Sequence, residues 1–176
     1  MEKMIAKGAE AELWLRDWNN LKVIFKTRGP KRYRHPELDK QLRGIRTGRE
    51  ADILHRAKMA GVPTPLVYMI DLDNATIVME YIDGVKIRDV VGHLEKGERY
   101  EIFRRIGEYS GLLHKEGIIH GDLTTSNIIK LGHRIVFIDF GLSEISFEVE
   151  KRGVDLNLMN RMLTSSNYVY REDMLE

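Results

Sequence analysis

Alternation of apolar and polar positions dominates the first part of the chain. Glu12-Leu13-Trp14-Leu15, a turn at Asp17-Trp18-Asn19-Asn20 and the run Leu21-Lys22-Val23-Ile24-Phe25-Lys26 predict a β-hairpin. From Pro36 to Ala60 the spacing becomes helical, with apolar residues at Leu38, Leu42, Ile45, Ile53, Leu54 and Ala57, Gly61 as the cap and Pro63 beyond it. Val62 to Ile70 and Ala75 to Tyr81 predict two more strands around an Asp73-Asn74 turn, completing a small antiparallel sheet against that helix. Helical spacing then governs Lys86 to Val91 and Tyr100 to Lys115. In the second of these Phe103, Ile106, Ser110 and Leu113 share a face, Gly117 ends the helix, and His114 reads only as a polar residue near its end. Ile128 to Leu131, a Gly132-His133 turn and Arg134 to Ile138 predict a tight hairpin, and Leu156 to Leu163 a last apolar-rich helix. The fold class expected is α+β in two lobes, residues 1–82 and 83–176.

Chemistry enters at His120-Gly121-Asp122-Leu123-Thr124-Thr125-Ser126-Asn127, where a carboxylate and a carboxamide stand five residues apart just after an apolar run. That spacing is a phosphoryl-transfer signature: the Asp sits by the hydroxyl being phosphorylated and the Asn supplies an oxygen to magnesium on the nucleotide phosphates. The hairpin that follows ends in Ile138-Asp139-Phe140-Gly141, which carries a second carboxylate in the context of the other magnesium ligand. Each stretch alone is a weak signal. Because the hairpin returns the chain to its starting point, Asp122, Asn127 and Asp139 are expected to converge.

Two residues of the first lobe complete the set. Ile24 and Lys26 share a strand face that suits an adenine ring with an ammonium reaching the phosphates, although on the strand alone Lys26 reads as a solvated end. Glu50 precedes Ile53, Leu54 and Ala57 by three, four and seven residues, so it points inward and needs a cationic partner, for which Lys26 is the candidate; Gly44 and Gly48 leave the helix phase open. Met79-Glu80-Tyr81-Ile82-Asp83-Gly84 reads as a hinge whose backbone at Glu80 and Ile82 is offered to the edge of adenine.

Composition narrows the classes. The chain has 176 residues, no Cys and a net charge of +1. A disulfide framework and a thiolate metal site are excluded, and no secretory or membrane-spanning run is present, which sets a soluble cytoplasmic protein as the default. Only thirteen residues separate Gly141 from Asp155 and no Ala-Pro-Glu follows, so the platform that docks a peptide in ordinary protein kinases is missing.

With these residues assembled, the chain resembles the small atypical kinase subunit of the KEOPS complex of archaea and eukaryotes, over nearly its whole length. The resemblance rests on Gly8-Ala9-Glu10-Ala11 in place of a glycine-rich loop, Phe25-Lys26-Thr27-Arg28, the run Lys31-Arg32-Tyr33-Arg34-His35-Pro36-Glu37-Leu38-Asp39 and Arg49-Glu50-Ala51. It continues through Gly61-Val62-Pro63-Thr64-Pro65, His120 to Asn127, Asp139-Phe140-Gly141 and Val154-Asp155-Leu156. It implies a minimal bilobal protein-kinase-like fold, with a small antiparallel sheet and one helix followed by a reduced helical lobe, and ATP and magnesium as cofactors. Gly8, Ala9, Glu10 and Ala11 would then cover the nucleotide, Lys26 would contact its phosphates and pair with Glu50, Asp122 would be the catalytic carboxylate, and Asn127 and Asp139 would hold the metal.

The resemblance also implies a role in making threonylcarbamoyladenosine in transfer RNA, beside the threonylcarbamoyl-transferase subunit and other KEOPS subunits. ATP would be hydrolysed there, with serine/threonine protein phosphorylation in isolation. Gly121 in place of Arg and Thr124 in place of Lys argue against control by an activation-loop phosphate. The chain ends at Met174-Leu175-Glu176 without the basic tail of other members, which argues against direct transfer RNA contact and for a truncated end. The transferase subunit is expected on the second lobe beside Asp122 and the segment Ser143 to Arg152, which carries Glu144, Glu148 and Glu150 against Lys151 and Arg152, with salt-sensitive binding. Two other readings compete. One is a small-molecule kinase of the aminoglycoside or choline kinase type. The other is an RNA-binding module that uses Lys22, Lys26, Arg28, Lys31, Arg32 and Arg34, interleaved with Tyr33, as a phosphate-tracking patch.

Overall fold

Three antiparallel strands, β1 (Glu2–Lys7), β2 (Glu12–Trp18) and β3 (Leu21–Thr27), open the chain in the computed structural model, which describes residues 2–166. The β2–β3 turn is built by Asn19 and Asn20, whose left-handed φ values of 50° and 64° match the right-handed twist of a two-residue hairpin. The long helix α1 (Pro36–Met59) follows, then β4 (Val67–Asp71) and β5 (Thr76–Glu80), giving a five-stranded sheet in the order β1-β2-β3-β5-β4. β3 is paired on both sides, with Lys26 opposite Leu13 of β2 and Ile77 of β5. Lys26 therefore hangs from a strand that cannot shift register without breaking two ladders.

The remaining chain builds β6 (Val85–Lys86), α2 (Ile87–Val90), α3 (Lys96–Lys115), β7 (Ile118–Ile119), β8 (Ile128–Leu131), β9 (Arg134–Phe137), β10 (Glu144–Ile145) and α4 (Val149–Ser166). β6, β8 and β9 form one small sheet in that order, and β10 pairs with β7 in another. The buried interior here is Ile102, Phe103, Ile106 and Leu113 of α3, Leu123, Ile128, Ile135 to Phe137, and Met159 and Leu163 of α4.

The chain divides into two compact units, one up to His55 with Pro65–Ile82, the other Arg56–Thr64 with the chain from Asp83 onward. The expected division at residue 82 had put Arg56–Thr64 in the first. Its placement in the second has a local cause: Phe137 donates its amide to the Pro63 carbonyl at 2.9 Å. Gly61, at φ 91°, closes α1, with its amide on Lys58 and the Val62 amide on Ala57, both at 3.0 Å.

Several elements differ from the pattern reading. β1, β6, β7 and β10 were not expected: β1 is exposed at every position, and the other three are two-residue strands held by their partners rather than by any pattern of their own. The stretch from Val62 to Leu66 runs outside any strand, α3 starts a turn earlier than expected, and α4 starts two turns earlier. The expectation about the carboxy-terminal end concerns residues 167–176, outside those described. Among the described residues no helix is long and apolar enough to cross a membrane.

Candidate active site

Lys26 and Glu50 meet inside the first unit. Lys26 Nζ donates to Glu50 Oε1 at 2.5 Å, and both residues are almost fully buried. The inward phase of Glu50 thus holds despite the two helical glycines. Those glycines have a packing reason: a Cβ on Gly44 would stand 3.1 Å from the Leu72 carbonyl oxygen, and one on Gly48 would stand 3.4 Å from the Leu72 side chain. A second cation went unnoticed in the sequence. Arg28 Nη2 donates to Glu50 Oε2 at 2.8 Å, and the period of a strand, which sets residues 26 and 28 on one face, was the available signal.

The loop Gly8-Ala9-Glu10-Ala11 joins β1 to β2 and closes on itself through Gly8 N to Ala11 O at 2.9 Å. Two cations brace it from the α1 side: Lys31 Nζ donates to the Ala9 carbonyl, and Arg46 pairs with Glu10 at 2.6 Å. The Pro36-Glu37-Leu38-Asp39 run has a similar role. Asp39 is buried in the first turn of α1, accepts from Arg43 Nε at 2.8 Å and lies 3.6 Å from Arg34. The Arg43 bond holds its carboxyl below the usual carboxylate range, against the opposing effect of desolvation.

These contacts correct the basic-patch reading. Lys26 and Arg28 are buried on Glu50, Lys31 is on Ala9 and Arg34 faces Asp39, so of the six only Lys22, which stands across from Asp17, and Arg32 are exposed. The run is chiefly internal bracing. At the end of β5 the Glu80 amide donates to the Leu66 carbonyl at 2.8 Å, and its carboxylate accepts the Leu66 amide at 3.1 Å. Ile82, buried, follows outside any strand.

In the second unit, β7 delivers the chain to His120 and the loop beyond it. Asn127 Nδ2 donates to both the Asp122 carbonyl, at 3.0 Å, and Asp122 Oδ2, at 2.7 Å. The amide nitrogen is thereby committed to Asp122, and the Asn127 side-chain oxygen is the atom left to serve as an acceptor. Ile138 N donates to the Asn127 carbonyl at 2.9 Å, which returns β9 to the loop and sets Asp139 next to it. Asp139 takes a left-handed φ of 60°, a strained conformation for a side-chain-bearing residue, and is exposed. Phe140 behind it is buried against His120, with ring centroids 4.6 Å apart.

Two residues that the sequence reading gave no role in the chemistry organise this loop. Asp155 of α4 is fully buried and accepts from the amides of His120 at 2.7 Å and Gly121 at 2.8 Å, and it lies 3.0 Å from His114 Nε2. Burial works to raise the Asp155 pKa, but the bonds from His114 and the two amides outweigh it and hold the carboxyl below its usual range. His114 is therefore buried and engaged rather than an unremarkable polar residue. Its place four residues after Ser110 was the clue. Gly121 explains the missing Arg: φ is +78° and a Cβ there would collide with the Leu142 carbonyl, so no larger residue fits. His120 is fully buried, and desolvation pushes its pKa down against the pull of Asp155, which favours the neutral ring.

Residues 15–146 match the family model described as a RIO domain. The chain belongs to the RIO family. It is 46% identical to the KEOPS complex subunit Bud32 of Pyrococcus abyssi, over 97% of this chain and 80% of that one. It is 43% identical to a probable serine/threonine-protein kinase BUD32 homolog of Archaeoglobus fulgidus, over 90% and 75%. A probable bifunctional tRNA threonylcarbamoyladenosine biosynthesis protein of Methanothermobacter thermautotrophicus is 47% identical over 94% of this chain, which spans only 30% of that longer protein. Among solved structures, the Rio2 kinase-ADP/Mg2+-phosphoaspartate complex from Chaetomium thermophilum superposes with a TM-score of 0.78 at 16% identity, over 96% of this chain and 59% of that one. That likeness establishes the protein-kinase-like fold. The family, the fold class and the atypical kinase character expected from the sequence all stand on these comparisons.

Proposed function

We propose that this RIO-family chain is the ATP- and magnesium-dependent kinase or ATPase subunit of a KEOPS-type complex, working in the cytoplasm on threonylcarbamoyladenosine formation in transfer RNA. The observation that carries the chemistry is the Asn127 bond to Asp122, because one side chain both aims the carboxylate and keeps an oxygen for a metal. Magnesium suits the donors present. It needs few protein ligands when it arrives on phosphates, and among the described residues no group of three or more His, Cys, Asp or Glu forms a cage. Asn127 and Asp139 would hold it, and when bound it would neutralise charge on the transferring phosphate.

The rest falls to the chain's own groups. Lys26, held by Glu50, contacts the phosphates, and the Gly8–Ala11 loop covers them. The backbone at Glu80 and Ile82 meets adenine. Asp122 orients the attacking hydroxyl or water and takes its proton.

The transferase subunit is proposed to dock on the stretch after Gly141. Leu142, Phe147, Val149 and Val154 are each more than half exposed there, an apolar density typical of an interaction surface. This reading departs from the charge-led docking expected from the sequence. Lys151 is already paired with Glu144 at 2.9 Å, so apolar contact should dominate and salt should weaken binding little. Titrating the purified transferase subunit against labelled magnesium ATP is expected to raise free phosphate and suppress labelled phosphoprotein. Persistent autophosphorylation with no gain in hydrolysis at saturation would mean that the chain works as a self-sufficient kinase.

A further inference from the structure

Arg28 is a buried charged residue of the first unit to which the mechanism above gives no role. It stands two positions after Lys26 and is just as buried, at 3% exposed against 6%. Lys26 occupies Glu50 Oε1 and Arg28 occupies Oε2, so each oxygen of one carboxylate carries its own cation. Arg28 is also fixed along its backbone. Its amide donates to the Ala75 carbonyl at 3.0 Å, and its carbonyl accepts from Arg43 Nη1 at 3.1 Å. Arg43 and Glu50 are seven residues apart, on one face of α1, so Arg28 ties the end of β3 to that helix at two successive places. Its Nε is buried with no hydrogen bond among the described residues. Apolar residues at both ends of the Arg28–Glu50 pair would avoid that desolvation cost, so stability alone does not explain why the pair as a whole is kept.

We propose that Arg28 is a positioning residue for phosphoryl transfer: it holds Glu50, and with it α1, through a pair of its own, so that Lys26 can engage the nucleotide phosphates. If Lys26 were the sole partner, its move toward a phosphate would leave Glu50 charged, buried and without a cation, and that penalty would weaken every phosphate contact. With Arg28 on the second oxygen, Glu50 stays compensated and the helix stays docked. The inference rests on the assignment of Lys26 to the phosphates made above.

The test compares ATP turnover in Arg28→Met, Arg28→Lys, Glu50→Gln and the Arg28→Met/Glu50→Gln double variant. Arg28→Met is expected to lower kcat/KM for ATP about tenfold, Arg28→Lys to recover to within about threefold of wild type, and Arg28→Met to cost less than about twofold further in the Glu50→Gln background. A tenfold loss that persists in that background, an Arg28→Lys as impaired as Arg28→Met, or wild-type turnover in Arg28→Met would each overturn the proposal. If Arg28→Met does not fold, Arg28→Lys decides alone: near-wild-type turnover supports the role and a loss as deep as that of Lys26→Met refutes it. Urea midpoints of the same cycle need no nucleotide. Coupled midpoints in a chain that turns over no ATP would mean that the assignment of Lys26 has failed while the Arg28–Glu50 bond stands, and additive midpoints would remove the pair itself.

Discussion

Replacing Asp139 by Ala is expected to cut magnesium-dependent ATP turnover by about a thousandfold or more, because it removes one of only two protein ligands proposed for the metal. The Asp139 side chain is exposed, so Ala removes no packing from the core. The φ of 60° stands next to the buried Phe140, and the one bond named here that Ala removes is the exposed one from the Gly141 amide to Asp139 Oδ1, at 3.3 Å. Holding Ala in that conformation should cost about 1 kcal/mol, so the variant should fold with a nearly wild-type urea midpoint. A large loss of turnover at nearly unchanged stability separates a ligand from a structural residue. Turnover within tenfold of wild type would remove Asp139 from the site.

The second large effect is on stability. Asp155→Ala would leave two buried donors, the His120 amide and the His114 ring nitrogen, and the part-buried Gly121 amide without their acceptor. Stranding buried polar groups of this kind costs about 3–5 kcal/mol, a large part of the total for a domain of this size. The pH dependence follows from the depressed pKa of Asp155. A carboxyl whose folded pKa lies below its unfolded value near 4 stabilises fully above that value, and the contribution disappears as pH falls through the folded pKa. The gap in urea midpoint between wild type and Asp155→Ala should thus be constant from about pH 5 to 7 and close only in strong acid. A gap that shrinks already near pH 6 would mean that another group titrates in its place.

Much of this arrangement was legible in the sequence because it depends on local spacing. The five-residue step from Asp122 to Asn127 fits a single tight loop, and the Gly132-His133 hairpin returns Asp139 to it, so neither needed a long-range guess. The phase of Glu50 was legible for the same reason. What escaped was set by partners distant in sequence. Arg28 meets Glu50 across twenty-two residues, and Asp155 reaches His120 across thirty-five. The two-residue strands β7 and β10 exist only because they pair with each other, and no pattern of two residues can announce that. The basic run misled for a related reason: charge is read from sequence as solvated, and here most of it points at Glu50, Asp39 and the Ala9 carbonyl.

The claim that Asp122 acts on the nucleophile while other groups hold the nucleotide is tested most directly by Asp122→Asn, measured for turnover and, by calorimetry, for ATP affinity in magnesium. The account predicts a fall in turnover of about a hundredfold or more, with the dissociation constant for ATP unchanged within about threefold. A dissociation constant that rises in step with the loss of turnover, or turnover that survives the substitution, would contradict it.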